Sequence, residues 1–251
     1  MCNSQMPAIT SVPQSPAELA RLVDHTLLKP ETTTQEVDAL IAEGIKLGVW
    51  SVCVSPTFVQ HAKTVADGKL KICTVVGFPS GKVVSRIKAA EAAQAVADGA
   101  DEVDMVIDIG MAKEHNFPAI TKDIQAVRQS IPDTLLKVII ESAALTDDEI
   151  IRVCKCAVEA KADFVKTSTG FHPSGGASPH AIKLMSQTVG SKLGVKASGG
   201  VRSRSDAQAV LAAGATRLGL SGTAKVMSGY GLAGYDSSEV KGAPAAGGDG
   251  Y

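Results

Sequence analysis

The chain has 251 residues, which is enough for one large barrel domain or for two smaller domains. Hydrophobic residues make up 45% of it and charged residues 20%, as in an ordinary globular protein with a sizeable core. The formal net charge of −1 argues against a protein that binds nucleic acid or an anionic membrane through a basic surface.

Signals for secretion or membrane insertion are missing from the sequence. No apolar run reaches the roughly 18 residues that a transmembrane helix needs. The first residues, MCNSQMPAITSVPQSP, have neither the basic nor the apolar region of a signal peptide. The five cysteines are scattered and odd in number, which is typical of reduced thiols. We therefore expect a cytoplasmic protein with no membrane partner.

Short runs rich in Val, Ile and Leu alternate with longer amphipathic stretches along the chain. The predicted strands cover residues 22–26, 49–55, 70–78, 101–107, 135–141, 162–168, 194–200 and 216–222. The helical patterns lie near residues 34–47, 57–67, 82–98, 116–130, 147–160, 178–190, 204–213 and 222–228. Strands that are each followed by a helix in this way predict a single-domain α/β protein with the (β/α)8 TIM barrel fold. The alternative, a doubly wound open sheet, usually has fewer strands.

The barrel domain is expected to cover residues 18–228. Residues 1–17 are predicted to form an N-terminal segment outside it. Residues 229–251 form a tail rich in Gly and Ala. Both ends are expected to be mobile because their composition offers little to bury.

A weak internal repeat supports the barrel. Three predicted helices end in similar alanine-rich turns, within VADGADEVDMV, VEAKADFVKTS and LAAGATRLGL. Gly99 and Gly214 suit the left-handed backbone conformation that often follows a helix. The remaining turn has Lys161 at that position, which weakens the repeat.

Ionisable side chains stand in the middle of predicted strands that should otherwise be apolar. They are Asp24, Asp104, Lys137, Lys166 and Lys196. Their neighbours are mostly apolar, so we expect the charged side chains to face the barrel interior. Three lysines against one or two carboxylates would leave an amine poorly compensated, and such a buried amine loses its proton and becomes nucleophilic. We interpret the cluster as a catalytic site rather than as ion pairs that only hold the strands in register.

Two glycine-containing segments indicate a site for phosphate. SGGVR (198–202) follows the seventh predicted strand and GLSG (219–222) follows the eighth. Barrel enzymes commonly bind phosphate there, through backbone N–H groups and the start of a short helix. Each segment alone could be a tight turn, but their joint position favours phosphate binding.

Metal and cofactor signals are weak. The histidines show no metal-binding spacing, and no cysteine pair completes a site; the histidines are His25, His61, His115, His172 and His180. No nucleotide-binding glycine motif is present. We expect no metal and no organic cofactor, although the lysine and the phosphate site alone leave pyridoxal phosphate open.

Several segments together resemble the deoxyribose-phosphate aldolase family: LVDHTLLKP, GADEVDMVID, LLKVIIE, ADFVKTSTGF and VKASGGVR. The resemblance runs in order over residues 20–226, and FVKTSTG with VKASGGVR is highly specific. It implies a barrel enzyme of class I. Such enzymes interconvert 2-deoxy-D-ribose 5-phosphate with D-glyceraldehyde 3-phosphate and acetaldehyde through a lysine Schiff base, in deoxyribose phosphate catabolism, and need no cofactor.

The resemblance also implies residue roles. Lys166 matches the Schiff-base lysine, and Lys196 matches the second lysine that keeps it deprotonated. Asp104 matches the carboxylate of a proton relay, with Lys137 as its partner, and Asp24 belongs to the motif on the first strand. The other matched positions are expected to contact the substrate or its phosphate: Thr26, Cys53, Thr169, Gly170, Gly199, Gly200, Gly219 and Ser221.

The chain departs from parts of the family pattern. Some members have a basic residue after KTSTG, where this chain has Phe171 and then His172. Phosphate binding is therefore expected to rely on backbone amides or to involve His172. Some members have Ser-Ser where this chain has Ser221-Gly222, and the last residue, Tyr251, is a further candidate that could assist proton transfer.

Other functions stay open at this point. The chain could be another Schiff-base sugar-phosphate aldolase, a transaldolase-like enzyme, or a non-catalytic sugar-phosphate-binding protein on the same fold. The expected partners are sugar phosphates and aldehydes, without nucleic acid. The outer helices do not reveal whether the protein is a monomer, a dimer or a larger homo-oligomer.

Overall fold

The structure is a computed structural model that describes residues 12–231. Tyr251, residues 1–11 of the predicted N-terminal segment and the predicted tail beyond residue 231 lie outside the described residues. The predicted domain boundaries at residues 18 and 228 stay predictions.

Parallel strands form a closed barrel in which neighbours in sequence are neighbours in space. The strands are β1 (Val23–Leu27), β2 (Ser51–Val54), β3 (Lys71–Val76), β4 (Glu102–Val106), β5 (Leu135–Ile139), β6 (Phe164–Lys166), β7 (Gly194–Ser198) and β8 (Arg217–Leu220). Pairing of β1 with β8 closes the ring. The predicted TIM barrel is therefore confirmed, and the open sheet is excluded.

Helices cover the outside of the barrel. They are α1 (Pro16–Ala20), α2 (Thr34–Leu47), α3 (Val59–Ala66), α4 (Ser85–Ala97), α5 (Ile109–Lys113), α6 (Phe117–Ser130), α7 (Asp147–Glu159), α8 (Pro179–Val189), α9 (Arg204–Ala212) and α10 (Thr223–Ser228). All the predicted helical patterns are present with small shifts at their ends. The short helix α5 was not predicted, because its few residues carry no amphipathic period of their own.

Local capping signals set where two of the long helices begin. The Thr33 hydroxyl accepts a hydrogen bond from the backbone N–H of Glu36, whose carboxylate accepts one from the backbone N–H of Thr33. Thr146 and Glu149 form the same reciprocal pair at the start of α7. Such capping boxes satisfy N–H groups that the helix itself leaves unpaired.

The repeated turn before β4, β6 and β8 is present in the backbone at all three sites. Gly99 and Gly214 have φ angles of 107° and 115°. Lys161 has a φ of 59°, so it takes a left-handed conformation although it carries a Cβ. Lys161 therefore stands where the other two turns have glycine, and the type of turn is the same.

The apolar core lies between the barrel and its helices, while charged side chains fill much of the barrel interior. Val103, Val138, Val165 and Val195 belong to the buried apolar core. The strand residues next to them in sequence include the buried lysines and carboxylates. No helix within residues 12–231 is both long and apolar enough to span a bilayer.

Candidate active site

Lys166 ends β6 at the centre of the predicted catalytic cluster. The residue is only 1% exposed, and its Nζ lies 2.9 Å from Oδ2 of Asp104. Lys166 pairs in register with Lys196 of the neighbouring strand β7, so the two side chains leave the sheet side by side. Burial beside one shared carboxylate makes Lys166 an amine that water barely reaches.

Asp104 connects all three lysines. Its Oδ1 accepts a hydrogen bond from Lys137 Nζ at 2.7 Å, and its Oδ2 accepts one from Lys166 at 2.9 Å and one from Lys196 at 2.8 Å. Burial alone would raise the pKa of Asp104. The three lysines outweigh burial and hold this pKa well below its usual range, so Asp104 is ionised at neutral pH.

A second layer of charges lies beneath Asp104. Asp24 Oδ2 is 2.5 Å from Lys196 Nζ, and its Oδ1 is 2.6 Å from a guanidinium nitrogen of Arg217. Glu102 lies 2.6 Å from Lys137 and 3.2 Å from Arg217. Burial opposes ionisation of Asp24, but Arg217 and the lysines lower its pKa below the usual range. Neither Glu102 nor Arg217 was predicted from the sequence.

The interior cluster contains one more cation than it has carboxylates. The cations are Lys137, Lys166, Lys196 and Arg217, and the carboxylates are Asp24, Glu102 and Asp104. Within the described part of the chain, Lys166 forms an ion pair with Asp104 alone. Burial alone would lower the pKa values of Lys137 and Lys196, but the carboxylates outweigh it and raise both. The amine with the least compensation is therefore Lys166.

The shifted pKa values predict how stability depends on pH. Asp24 and Asp104 have lowered pKa values in the folded state, so their contribution is complete above the unfolded value of about 4 and is lost as pH falls below it. Each carboxyl should add a slope of about 1.4 kcal/mol per pH unit. Lys137 and Lys196 have raised pKa values, so their contribution is complete below about 10.4 and is lost at higher pH.

Urea unfolding at a series of pH values would measure this profile. We expect the free energy of unfolding to be flat in the middle of the range and to fall at both ends. Below pH 4 the free energy of unfolding should fall more steeply with pH in the wild type than in Asp104→Asn. Equal slopes in the two proteins would contradict the contribution of the Asp104 carboxylate.

Two thiols lie beside the charged cluster. Cys53 and Cys73 pair in register on β2 and β3, and Cys73 Sγ is 3.3 Å from Lys137 Nζ and 3.4 Å from Asp104 Oδ1. A hydrogen bond with Cys73 lowers the pKa of Cys53, whereas burial raises that of Cys73 well above normal. Sγ of both thiols and a carboxylate oxygen of Asp104 lie within 4.8 Å of one another, a ligand set that suits a soft metal. Asp104 is already paired with three lysines, so the arrangement favours an ion-pair network.

Glycine-rich loops after β6 and β7 line the mouth of the barrel. Gly170, Gly199 and Gly200 have φ angles of 87°, 75° and 81°, which favour glycine. A Cβ on Gly176 would lie 2.4 Å from the carbonyl carbon of Gly199, so the two loops pack backbone against backbone. This packing brings the predicted Gly170 and Gly199 close together at the end of the barrel that carries Lys166.

The structure spreads the other predicted positions around the same mouth. Thr26 is buried on β1 and donates its hydroxyl to the backbone carbonyl of Asp24. Gly219 pairs with Ser198 of β7, and Ser221 is exposed just past β8. His172 is half-buried, and its Nδ1 accepts a hydrogen bond from the backbone N–H of Ser174. The remaining predicted residue, Thr169, is buried and bonds to Glu141.

The chain is similar to known aldolases over most of its length. A family model described as DeoC/LacD family aldolase matches residues 19–229. A deoxyribose-phosphate aldolase of Corynebacterium diphtheriae is 56% identical over 215 residues, covering 85% of this chain and 97% of the relative. A deoxyribose-phosphate aldolase of Mycobacterium ulcerans is 57% identical over 218 residues, covering 85% of this chain and 96% of the relative.

Solved structures agree with this similarity. A tetrameric deoxyribose phosphate aldolase from Aeropyrum pernix superimposes with a TM-score of 0.82 at 30% identity, covering 88% of this chain and 94% of that one. A protein from Coccidioides immitis gives a TM-score of 0.85 at 37% identity, covering 91% of this chain and 92% of that one. Fold and sequence therefore point to the same group of enzymes.

Proposed function

The chain belongs to the DeoC/LacD family of aldolases, and from that membership we infer its reaction. The enzyme reversibly cleaves 2-deoxy-D-ribose 5-phosphate to D-glyceraldehyde 3-phosphate and acetaldehyde, as part of deoxyribose phosphate catabolism. Relatives that are 56% and 57% identical carry the name deoxyribose-phosphate aldolase, which supports this substrate.

The buried amine of Lys166 is the observation that carries the mechanism. It lies in a cluster with one excess cation and shares Asp104 with two better-compensated lysines. A neutral lysine can attack an aldehyde carbon, which is the first step of a Schiff-base mechanism.

The remaining steps move electrons into the imine and protons between groups. The Lys166 nitrogen adds to the aldehyde carbon of the open-chain sugar, and loss of water gives a protonated imine. A base removes the hydroxyl proton at carbon 3, and the oxygen forms a carbonyl as the bond between carbons 2 and 3 breaks. Carbons 3 to 5 leave as D-glyceraldehyde 3-phosphate, and the electron pair of the broken bond forms an enamine on Lys166. Protonation of the enamine and hydrolysis release acetaldehyde. We assign the proton transfers to Asp104 and Lys196 acting through a water molecule.

Lys137 and Asp24 keep the relay in place. Lys137 holds Oδ1 of Asp104 at 2.7 Å, which leaves Oδ2 facing Lys166 and Lys196. Asp24 holds Lys196 at 2.5 Å from below. The substrate phosphate is assigned to backbone N–H groups of the glycine-rich loops, where Gly170 and Gly199 lie close together. No organic cofactor or metal takes part in this scheme.

A comparison of substrates tests the reaction. The purified protein should cleave 2-deoxyribose 5-phosphate and release acetaldehyde, detected by a coupled reductase that consumes NADH. Fructose phosphates should give little or no cleavage under the same conditions. Preference for a fructose phosphate would instead favour another sugar-phosphate aldolase, and absence of cleavage with every substrate would favour a binding protein.

Replacement of Lys196 tests its electrostatic role. Lys196→Met removes one positive charge within a few ångströms of Lys166, and a neighbouring positive charge favours the neutral, nucleophilic form of an amine. We expect the acid limb of the pH–rate profile to move upward by roughly one to two pH units. Exposed Lys192 offers a matched control, since Lys192→Met should leave the profile unchanged. An unshifted profile in Lys196→Met would remove Lys196 from this role.

Assembly and location complete the proposal. We place the enzyme in the cytoplasm, where its cysteines stay reduced and sugar phosphates occur. A homo-oligomer is the expected form, since a related structure from Aeropyrum pernix is described as tetrameric. Light scattering coupled to size-exclusion chromatography would measure the molecular mass, and the mass of a single chain would contradict an oligomer.

A further inference from the structure

The ladder between β5 and β6 contains an extra residue just beyond the strand ends. The backbone N–H of Ile140 donates to the Lys166 carbonyl at 3.0 Å, and that of Ser142 donates to the Thr167 carbonyl at 2.8 Å. The chain after β5 therefore advances by two residues where the chain after β6 advances by one. The extra residue is Glu141, which forms a β-bulge. Its φ of 54° and ψ of 57° are left-handed, a costly conformation for a residue with a side chain.

The bulge directs the Glu141 side chain into the loop that follows Lys166. The residue is 1% exposed, and its carboxylate accepts hydrogen bonds from the backbone N–H of Thr169 at 3.2 Å and from the Thr169 hydroxyl at 2.6 Å. The same hydroxyl oxygen accepts a hydrogen bond from the backbone N–H of Phe171 at 3.1 Å. Burial raises the pKa of Glu141, and the Thr169 hydrogen bonds oppose that rise.

These bonds enclose Gly170 on both sides. The Thr169 hydroxyl donates its single hydrogen bond to Glu141. Its oxygen therefore acts as an acceptor for the backbone N–H of Phe171. An ionised carboxylate only accepts hydrogen bonds, and it can therefore take both donors of Thr169 at once. The carboxylate thus fixes the turn from Thr169 to Phe171, including the direction of the Gly170 N–H.

We propose that Glu141 is a positioning residue that makes the enzyme selective for phosphorylated substrates. It holds the Thr169–Phe171 turn so that Gly170 presents its N–H group to the substrate phosphate. The proposal rests on the proposed function, because it assumes that the phosphate binds at the glycine-rich mouth. The strained backbone at Glu141 thereby has a role, since the bulge places the carboxylate beside Thr169.

Glu141→Gln is the direct test. Glutamine keeps the size of the side chain but replaces the charged acceptor with a neutral amide. Its oxygen can still accept from the Thr169 hydroxyl, while its NH2 group takes the place of the oxygen that lies 3.2 Å from the Thr169 N–H. We expect kcat/KM for 2-deoxyribose 5-phosphate to fall about 10- to 100-fold, mostly through KM, as for the loss of a hydrogen bond to a buried charge. For 2-deoxyribose without phosphate, kcat/KM should change by less than about threefold. The inhibition constant of inorganic phosphate should weaken in parallel.

Glu141→Gly separates the carboxylate from the strain. Glycine adopts a φ of 54° without steric cost, so this variant should keep the bulge and the fold while losing the contacts to Thr169. We expect the same loss of preference for the phosphorylated substrate. As a matched control, Asp123→Asn changes another buried carboxylate, which pairs with Lys88 between α4 and α6, and should leave the preference intact.

The outcomes separate the two levels of the proposal. Equal losses for phosphorylated and unphosphorylated substrates, or an unchanged preference in both Glu141 variants, would overturn the role of Glu141. Failure of the wild-type enzyme to cleave 2-deoxyribose 5-phosphate would instead overturn the proposed function.

Discussion

Lys166→Met should lower the rate of 2-deoxyribose 5-phosphate cleavage on the order of 10³-fold or more, because it removes the nucleophile on which every covalent step depends. Methionine fills a similar volume in the interior, where Lys166 is 1% exposed. It also leaves Lys137 and Lys196 on Asp104, so the variant should fold. Steady-state kinetics would measure the loss, and circular dichroism would check the fold.

Chemical trapping identifies the amine directly. Borohydride added with acetaldehyde should reduce the imine and leave an ethyl group on Lys166, located by peptide mass spectrometry. The Lys166→Met protein should give no adduct inside the barrel. An ethylated Lys196 or Lys137 in the wild-type protein, or catalysis that survives in Lys166→Met, would show that the Schiff base forms elsewhere.

Asp104→Asn should be the most damaging change to stability in the site. The carboxylate compensates three lysines at 2.7–2.9 Å, and breaking a buried ion pair typically costs about 3–5 kcal/mol. The same substitution should lower kcat by about 10²-fold or more, because it removes the proton relay. Urea unfolding would measure the free energy of unfolding, and single-turnover kinetics would measure the chemical step.

A second buried pair provides the control for Asp104. Lys88 and Asp123 lie 2.6 Å apart between α4 and α6, and both are almost fully buried. Asp123→Asn should therefore also lower stability, but the folded fraction should retain its activity. If activity falls in both Asp104→Asn and Asp123→Asn only in proportion to the unfolded fraction, Asp104 has a structural role and no catalytic one.

The catalytic lysines could be predicted from the sequence because each one interrupts an apolar strand. Lys137, Lys166 and Lys196 have valines beside them that must pack under helices, which leaves the barrel interior for the amines. Glu102 and Arg217 escaped prediction because they stand at the first residue of β4 and β8, where charged residues usually mark the end of a loop. Glu102 and Arg217 come together as a second layer of charge only because the barrel is closed, which brings the first residues of β4 and β8 into the same interior.

Glu141 escaped prediction for a different reason. In the sequence it closes the run LLKVIIE and reads as an ordinary polar residue at a strand end. Its role depends on a bulge, which is a register difference between two strands that are distant in sequence. Neither residue preference nor periodicity carries that information. Its nearest partner, Thr169, was identified only through the motif to which it belongs.

The contact between Arg217 and Asp24 has a consequence for how the enzyme comes into being. It joins the last strand to the first at 2.6 Å, so the charge network of the interior is incomplete until both ends of the barrel have met. A chain still emerging from the ribosome holds Asp24 and Glu102 without their guanidinium, and its sheet has two open edges. Synthesis must therefore pass residue 217 before the amine of Lys166 acquires its final surroundings. We therefore expect the reactivity of Lys166 toward aldehydes to arise together with ring closure.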